Sequence, residues 1–337
     1  MINRYLNGDK TAAPFLLKPV GKDYLWGGSR LNLDFCKDLA MQPLAETWEC
    51  STHPDGISMA ASGKYAGQSL TKILIEHPEY MGKYANPRGE LPCLIKFIDA
   101  KQNLSVQVHP SDDYARVHEN GSLGKTEMWY VLDAAEDAKL IYGFCHDMEK
   151  EQVKNSILEG NIEKYLQKVR IQKDDVFFIP PGQVHSLGAG SLVAEIQENS
   201  NITYRLYDYG RTDKKGNLRE LHIEKALEVA CLKSSRDLRQ PMRVLKFKRG
   251  YATELLCRCR YFQVERMIIS NRQRAEAAKL SQVENSFQIL LCTEGSGALF
   301  GDHEEMINFL RGDCVFIPAN AADIKIYGQT TLLKISC

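Results

Sequence analysis

The feature that most restricts the fold of this chain is a repeat within it. Asp175-Val-Phe-Phe-Ile-Pro-Pro-Gly-Gln-Val-His185 aligns without a gap on Asp313-Cys-Val-Phe-Ile-Pro-Ala-Asn-Ala-Ala-Asp323, and the strand-like run from Met128 resembles Phe287-Gln-Ile-Leu-Leu291. Each copy is a short apolar strand running into a turn, so self-similarity at this scale predicts two small antiparallel β units in tandem, of the jelly-roll kind. The copies differ in chemistry. His185 is matched by Asp323, and this alignment sets Glu127 against Ser286, so one chemical site is expected, in the leading unit.

The rest of the chain fits that frame. Its 337 residues exceed an ordinary single small domain, and hydrophobic and charged contents of 44% and 26% are those of a soluble globular protein. Short alternating runs bounded by Gly and Pro recur: 14–19, 45–51, 94–98, 104–110, 125–132, 173–179, 191–196 and 203–209. Residues 145–168 and 219–233 carry apolar residues at helical spacing and are predicted as a small helical insertion, and within 70–82 a short helix is predicted to stop near Pro78, with Gly82 in the turn beyond. We therefore expect a mainly β chain, with a catalytic unit over residues 1–240 and a metal-free unit over 241–337.

Charge and cysteine content bound the partners. Lys plus Arg and Asp plus Glu both number 43, which gives no basic surface for nucleic acid or anionic lipid. No apolar run reaches membrane-spanning length, and Met1–Gly8 has no signal-peptide apolar core, so a cytoplasmic location is expected. The ten cysteines form no CxxC pair and are expected to be reduced.

The chemistry centres on Leu104-Ser-Val-Gln-Val-His-Pro110. Strict alternation places Ser105, Gln107 and His109 on one strand face and the aliphatic residues on the other. Glu127 on a second strand and His185 after the Pro-Pro-Gly turn complete a set of two imidazoles, a carboxylate and an amide oxygen. That set suits one Zn²⁺ with room for water or substrate. Glu46, Lys96, Lys125, Glu195 and Arg205 interrupt apolar runs nearby and would suit an anionic, hydroxyl-rich ligand such as a sugar phosphate. The same charges also fit plain ion pairs, Glu127 with Lys125 or Glu195 with Arg205. For Lys96, a snorkelling side chain on an edge strand fits the pattern as well.

These pieces together resemble the type I phosphomannose isomerases in their shorter bacterial form. The resemblance rests on Trp26-Gly-Gly, Glu46-x-Trp48, Leu94-Ile-Lys96, Gln107-Val-His-Pro110, Gly124-Lys-Thr-Glu-Met-Trp129, Phe178-Ile-Pro-Pro-Gly-x-Val-His185 and Glu195 through Arg205. It implies a cupin-type catalytic barrel, a helical part, a C-terminal jelly roll, and zinc on Gln107, His109, Glu127 and His185. It also implies Arg205, Lys125 and Glu195 as catalytic, and Lys96, Ser105, Glu46 and Trp26 around the substrate. The implied reaction interconverts mannose 6-phosphate and fructose 6-phosphate through a cis-enediol, in a monomer or weak homodimer. Two departures stand out: Gly124 where many members have His, and Asn201 where many have Asp. They leave a regulatory, non-catalytic zinc-containing sugar-phosphate binder as the alternative. A cupin oxygenase on Fe²⁺ is a third reading.

Overall fold

The computed structural model describes residues 12–212, 215–235, 242–271, 276–281, 285–301 and 306–337. The expected division between residues 240 and 241 and the leader reading of residues 1–8 lie outside the described residues.

A six-stranded antiparallel sheet forms the middle layer, in the order Val176–Ile179, Glu127–Ala134, Ser191–Glu198, Cys93–Ala100, Glu46–Cys50, Val20–Lys22. Cys93–Ala100 is buried at every position, as the near-continuous apolar run in its sequence requires. It is paired on both sides, to Ser191–Glu198 and to Glu46–Cys50. Lys96 therefore sits on an interior strand, which corrects the edge-strand reading, and it is buried because it has anionic partners.

The two faces of this sheet serve different cores. Ile98, Trp129, Val131 and Val193 meet Leu140 and Leu187 of a second, five-stranded sheet. That sheet runs Tyr204–Tyr207, Val106–Val108, His185–Leu187, Lys139–Phe144, Leu166–Arg170. On the opposite face Ile95, Phe97, Met128 and Tyr130 meet Ile289, Phe316 and Leu333 of the C-terminal sheet. Residues one apart on each strand thus serve opposite layers, the period-two rule at work.

Helices cover the outer face of the five-stranded sheet. Val153 and Ile157 of helix Lys150–Leu158, and Ala226 and Leu227 of helix Ile223–Val229, pack on Val106, Val108 and Leu206. Both are shorter than the spans 145–168 and 219–233. Beyond Leu158 come a 3₁₀ turn, Ile162–Lys164, and the strand Leu166–Arg170. Leu166 follows Ile162 by four residues, a spacing that fits one turn of helix and, being even, one face of a strand.

The C-terminal strands build a ten-stranded sheet around two 13-residue strands, Gln288–Phe300 and Ile324–Ser336. Two strands from the start of the chain complete it. Phe15–Lys18 pairs with Cys314–Ile317, and Met59–Ala60 pairs with Phe15–Lys18. The repeat is real in three dimensions: Val176–Ile179 lies beside Glu127–Ala134 as Cys314–Ile317 lies beside Gln288–Phe300. The register corrects one equivalence. Ile179 faces Glu127 and Ile317 faces Gln288, so the counterpart of Glu127 is Gln288 and not Ser286. A slip of two residues keeps every side chain on its face, and alternation alone cannot detect it.

Phe15 is almost fully buried, with its ring 5.4 Å from that of Phe316 and 5.6 Å from that of Tyr65. Replacing Phe15 by Ala is expected to cost about 3–5 kcal/mol in urea unfolding, because the hole opens where the early strand meets the C-terminal sheet.

Candidate metal centre

Antiparallel register sets out the site in rows. Residues directly opposite each other point to the same side of a sheet, so Arg205, Gln107 and His185 form a row on the five-stranded sheet. Trp129, Glu195, Lys96 and Trp48 form a row on the six-stranded sheet, with Glu127 and Gln197 two residues along. His109 closes the set from the turn after Val106–Val108, where Ser111 caps helix Asp112–His118 by accepting the Tyr114 N–H.

His109, Glu127 and His185 converge, with one ligand atom from each lying within 4.8 Å of the others, and all three are buried. The tautomers follow from the hydrogen bonds. Each Nδ1–H donates to a carbonyl, His109 to Ile202 at 2.8 Å and His185 to Gln183 at 2.7 Å. Each Nε2 therefore presents its lone pair inward, 3.5 Å and 3.3 Å from the Glu127 oxygens. Burial holds both rings below the usual imidazole range, His185 down to about 3, with Lys125 adding to the effect. They are neutral, as metal ligands must be. Burial raises the Glu127 carboxyl to about 7 against the pull of Lys125.

The donor set fits a divalent cation on an independent ground. Glu127 Oε1 is buried and meets no hydrogen-bond donor, a state that costs about 1–3 kcal/mol or more for a charged group. The Lys125 ammonium contacts Glu127 Oε2 and lies 3.0 Å from His109 Nε2, so positive charge already serves part of the set. The Gln107 side-chain amide reaches the same place, 3.4 Å from His185 Nε2, and its two ends are interchangeable by a flip. Two imidazoles, a carboxylate and an amide oxygen make a set that zinc accepts.

A cavity of about 270 Å³ lies beside the centre, joined to it through Gln107 and Lys125, while His109, Glu127 and His185 stand behind its wall. Gln107, Lys125, Glu195 and Arg205 line it, and so do Trp26, Glu46, Lys96 and Ser105, so every residue singled out for substrate or catalysis reaches one space. Glu195 pairs with Lys96 at 3.2 Å and accepts the Trp129 indole N–H at 2.8 Å, in place of the pairing with Arg205. Burial pushes the Glu195 carboxyl up, but Lys125 and Lys96 outweigh it and hold the group at about 2. Lys96 is pulled down by burial and raised further by Glu46, Glu195 and Glu127, and so it remains an ammonium. Glu46 is steered by the Trp48 indole N–H at 2.8 Å. The Glu127–Lys125 ion pair is present as well.

Sequence reasoning missed Tyr24, Thr203 and Arg219, which also line the cavity. The helical spacing of 219–233 predicts Arg219 on a helix; it lies in the loop ahead of one, 3.5 Å from Asp208. Burial, then Arg219, lowers the Arg205 guanidinium, and the Arg205 Nε is buried without a partner. Nothing in a loop sequence marks such a residue except its charge.

Both departures acquire a structural reason. A Cβ on Gly124 would lie 2.5 Å from the backbone of Ser111 and Asp112, so this loop closes only around glycine. Asn201 donates to Asp55 Oδ2 at 2.9 Å, so a carboxylate stands at this rim, contributed by another loop. Gly28 likewise has no room for a side chain, since its Cβ would meet Asp99 at 2.1 Å.

Comparison with known proteins agrees with this geometry. A family model described as the catalytic domain of type I phosphomannose isomerase matches residues 15–140, and one described as the cupin domain of mannose-6-phosphate isomerase matches residues 252–337. The chain is 37% identical over 318 residues to a mannose-6-phosphate isomerase of Bacillus subtilis, covering 94% of this chain and 97% of that one. It is 34% identical over 305 residues to a mannose-6-phosphate isomerase of Streptococcus mutans, with 89% and 94% covered. The crystal structure of a mannose 6-phosphate isomerase from Bacillus subtilis superposes with a TM-score of 0.88 at 35% identity, covering 96% and 99% of the two chains.

The donor set makes a direct prediction. The intact chain is expected to bind one divalent cation, and Glu127→Gln or His185→Ala to weaken binding at least about tenfold. Competition titration against a chromophoric chelator measures both.

Proposed function

The chain belongs to the type I phosphomannose isomerases, and from that premise we propose that it interconverts mannose 6-phosphate and fructose 6-phosphate through a cis-enediol, using one Zn²⁺. The observation that carries the proposal is the buried His109–Glu127–His185 set lying, through Gln107 and Lys125, beside a cavity that holds two lysines and two arginines. Gln107, His109, Glu127 and His185 would hold the zinc. When bound, it supplies Lewis-acid polarisation of an oxygen, the chemistry that eases removal of a neighbouring proton.

The protein's own groups divide the remaining work. Isomerisation moves a proton between C2 and C1 and a second between O1 and O2. Lys125 and Glu195 are the proton-transfer groups. Glu195 is engaged by Lys96 and Trp129 and held strongly acidic, which makes it a weak base and a good fixed charge. Lys125 is therefore assigned the carbon-bound proton, which it can accept only as the neutral amine and not as the ammonium that contacts Glu127 here. Arg205 holds anionic oxygen, and its unpartnered Nε next to Arg219 supports a phosphorylated ligand. Lys96, Ser105, Glu46 and Trp26 orient the sugar.

The regulatory reading loses its support, since Gly124 and Asn201 both have structural reasons. A catalytic unit through about residue 240 and a metal-free unit beyond it remain the proposed division, with Phe15–Lys18 lent to the second. No helix among the described residues is long and apolar enough to cross a membrane. All ten cysteines are free, which supports a reducing, cytoplasmic setting.

Incubation with mannose 6-phosphate is expected to yield fructose 6-phosphate, to stop when chelator strips the cation, and to resume on adding Zn²⁺. Lys125→Ala, Glu195→Gln and Arg205→Ala are each expected to lower kcat/KM by about 10²-fold or more with the cation retained. Full turnover in all three variants would refute the residue assignment.

A further inference from the structure

Among the described residues the C-terminal unit brings together no ligand set, yet it reaches the segment that carries Lys125. Tyr261, in the turn between the strands Tyr251–Arg258 and Gln263–Ser270, donates its hydroxyl to Asp112 Oδ2 at 2.9 Å. The other oxygen of that carboxylate accepts the Gly124 N–H at 2.9 Å. On the far side of Lys125, Glu198 Oε1 accepts the Thr126 N–H at 2.7 Å, and the amide of Lys125 itself donates to Pro110 at 3.1 Å. Three successive backbone amides, 124 to 126, are thus held by fixed acceptors, and one of those acceptors is oriented from the second unit.

The contact is well placed to matter. Phe262, next to Tyr261, is buried in the core shared by the two units, which gives the hydroxyl a rigid base. A Cβ on Gly124 would meet the backbone of Ser111 and Asp112 at 2.5 Å, so the two segments pass closely, and the Asp112 carboxylate ties them together. Lys125 is the adjoining residue, and its ammonium is within 3.0 Å of His109 Nε2.

We propose that Tyr261 is a positioning residue for the isomerase reaction: its hydroxyl fixes Asp112, Asp112 fixes Gly124, and the chain at Gly124 sets where Lys125 stands. The C-terminal unit then contributes to catalysis by aiming a lysine it never touches. The inference rests on the assignment of Lys125 to proton transfer, and a misplacement of well under 1 Å is enough to be read in the rate.

The test uses the full chain loaded with Zn²⁺. Tyr261→Phe removes one oxygen and keeps the ring. It is expected to lower kcat about tenfold with KM for mannose 6-phosphate within about twofold and the bound zinc unchanged, and to speed amide hydrogen exchange in the peptide spanning 119–127. Asp112→Asn keeps an acceptor for Gly124 and a partner for Tyr261 and is expected to retain near-native kcat, whereas Asp112→Ala should match Tyr261→Phe or exceed it. Lys173→Met, which removes a separate ion pair to Glu294 of the C-terminal unit, is the control for a merely structural staple and should leave kcat unchanged. Native kcat and native exchange in Tyr261→Phe would overturn the proposal, as would an equal loss in Lys173→Met. If Tyr261→Phe does not fold, equal activity of Asp112→Asn and Asp112→Ala overturns it instead. Failure of the unmutated chain to convert mannose 6-phosphate would sink the isomerase reading, while exchange at 119–127 would still decide whether Tyr261 holds that segment.

Discussion

A carboxylate without solvent and without a full set of donors is the constraint from which the architecture follows. Glu127 has 0% exposure, one of its oxygens meets no donor, and the neighbouring imidazoles turn lone pairs, not protons, toward it. Water would solvate such a group at once, so the fold must exclude water and then supply positive charge. Two sheets facing each other do the excluding. Lys125 contacts the carboxylate, and the geometry leaves the remaining donor atoms pointing at a common centre.

The cavity beside that centre is arranged by the same electrostatic rule, applied to several groups at once. Lys96 lies in the interior of a sheet because Glu46 and Glu195 lie on the strands to either side, two residues from its row and within it respectively. Those carboxylates are in turn steered by the indole N–H groups of Trp48 and Trp129, aromatic rings that fill the space between the sheets. The guanidiniums of Arg205 and Arg219 share a single buried carboxylate, Asp208, which also pairs with Arg211, and each is disfavoured by its burial. The charge balance of the cavity is therefore uneven: paired at the six-stranded sheet, cationic toward the arginines. A sugar carrying one phosphate has the complementary unevenness.

The tandem repeat shows one strand pairing carrying two different side-chain sets. The strand pairs Val176–Ile179 with Glu127–Ala134 and Cys314–Ile317 with Gln288–Phe300 use the same register, and a buried glutamine occupies the place of the buried glutamate. An amide there needs no cation, and no imidazole faces it from the position of His185. Relieved of the site, the second sheet takes in Phe15–Lys18 and backs the catalytic sheet along its whole apolar face. That support makes the hydroxyl of Tyr261 a fixed point.

The sequence by itself determined the repeat, the strands that carry the site and the side chains that converge there. Alternation fixed which face Ser105, Gln107 and His109 share. Charges set in apolar runs marked Lys96, Lys125, Glu195 and Arg205, because a buried charge leaves so unusual a local pattern. Only tertiary structure decided which charges pair, that Glu195 belongs to Lys96 and not Arg205, that Gln288 and not Ser286 stands for Glu127, and that Arg219 joins the cavity from a loop. It also decided where the helices stop, since Ile162 and Leu166 satisfy a helical and a strand spacing alike. The reason is the same in each case. Period and polarity are local properties of a chain, whereas partner, register and distance are set by which strands lie side by side, and no residue carries that information alone.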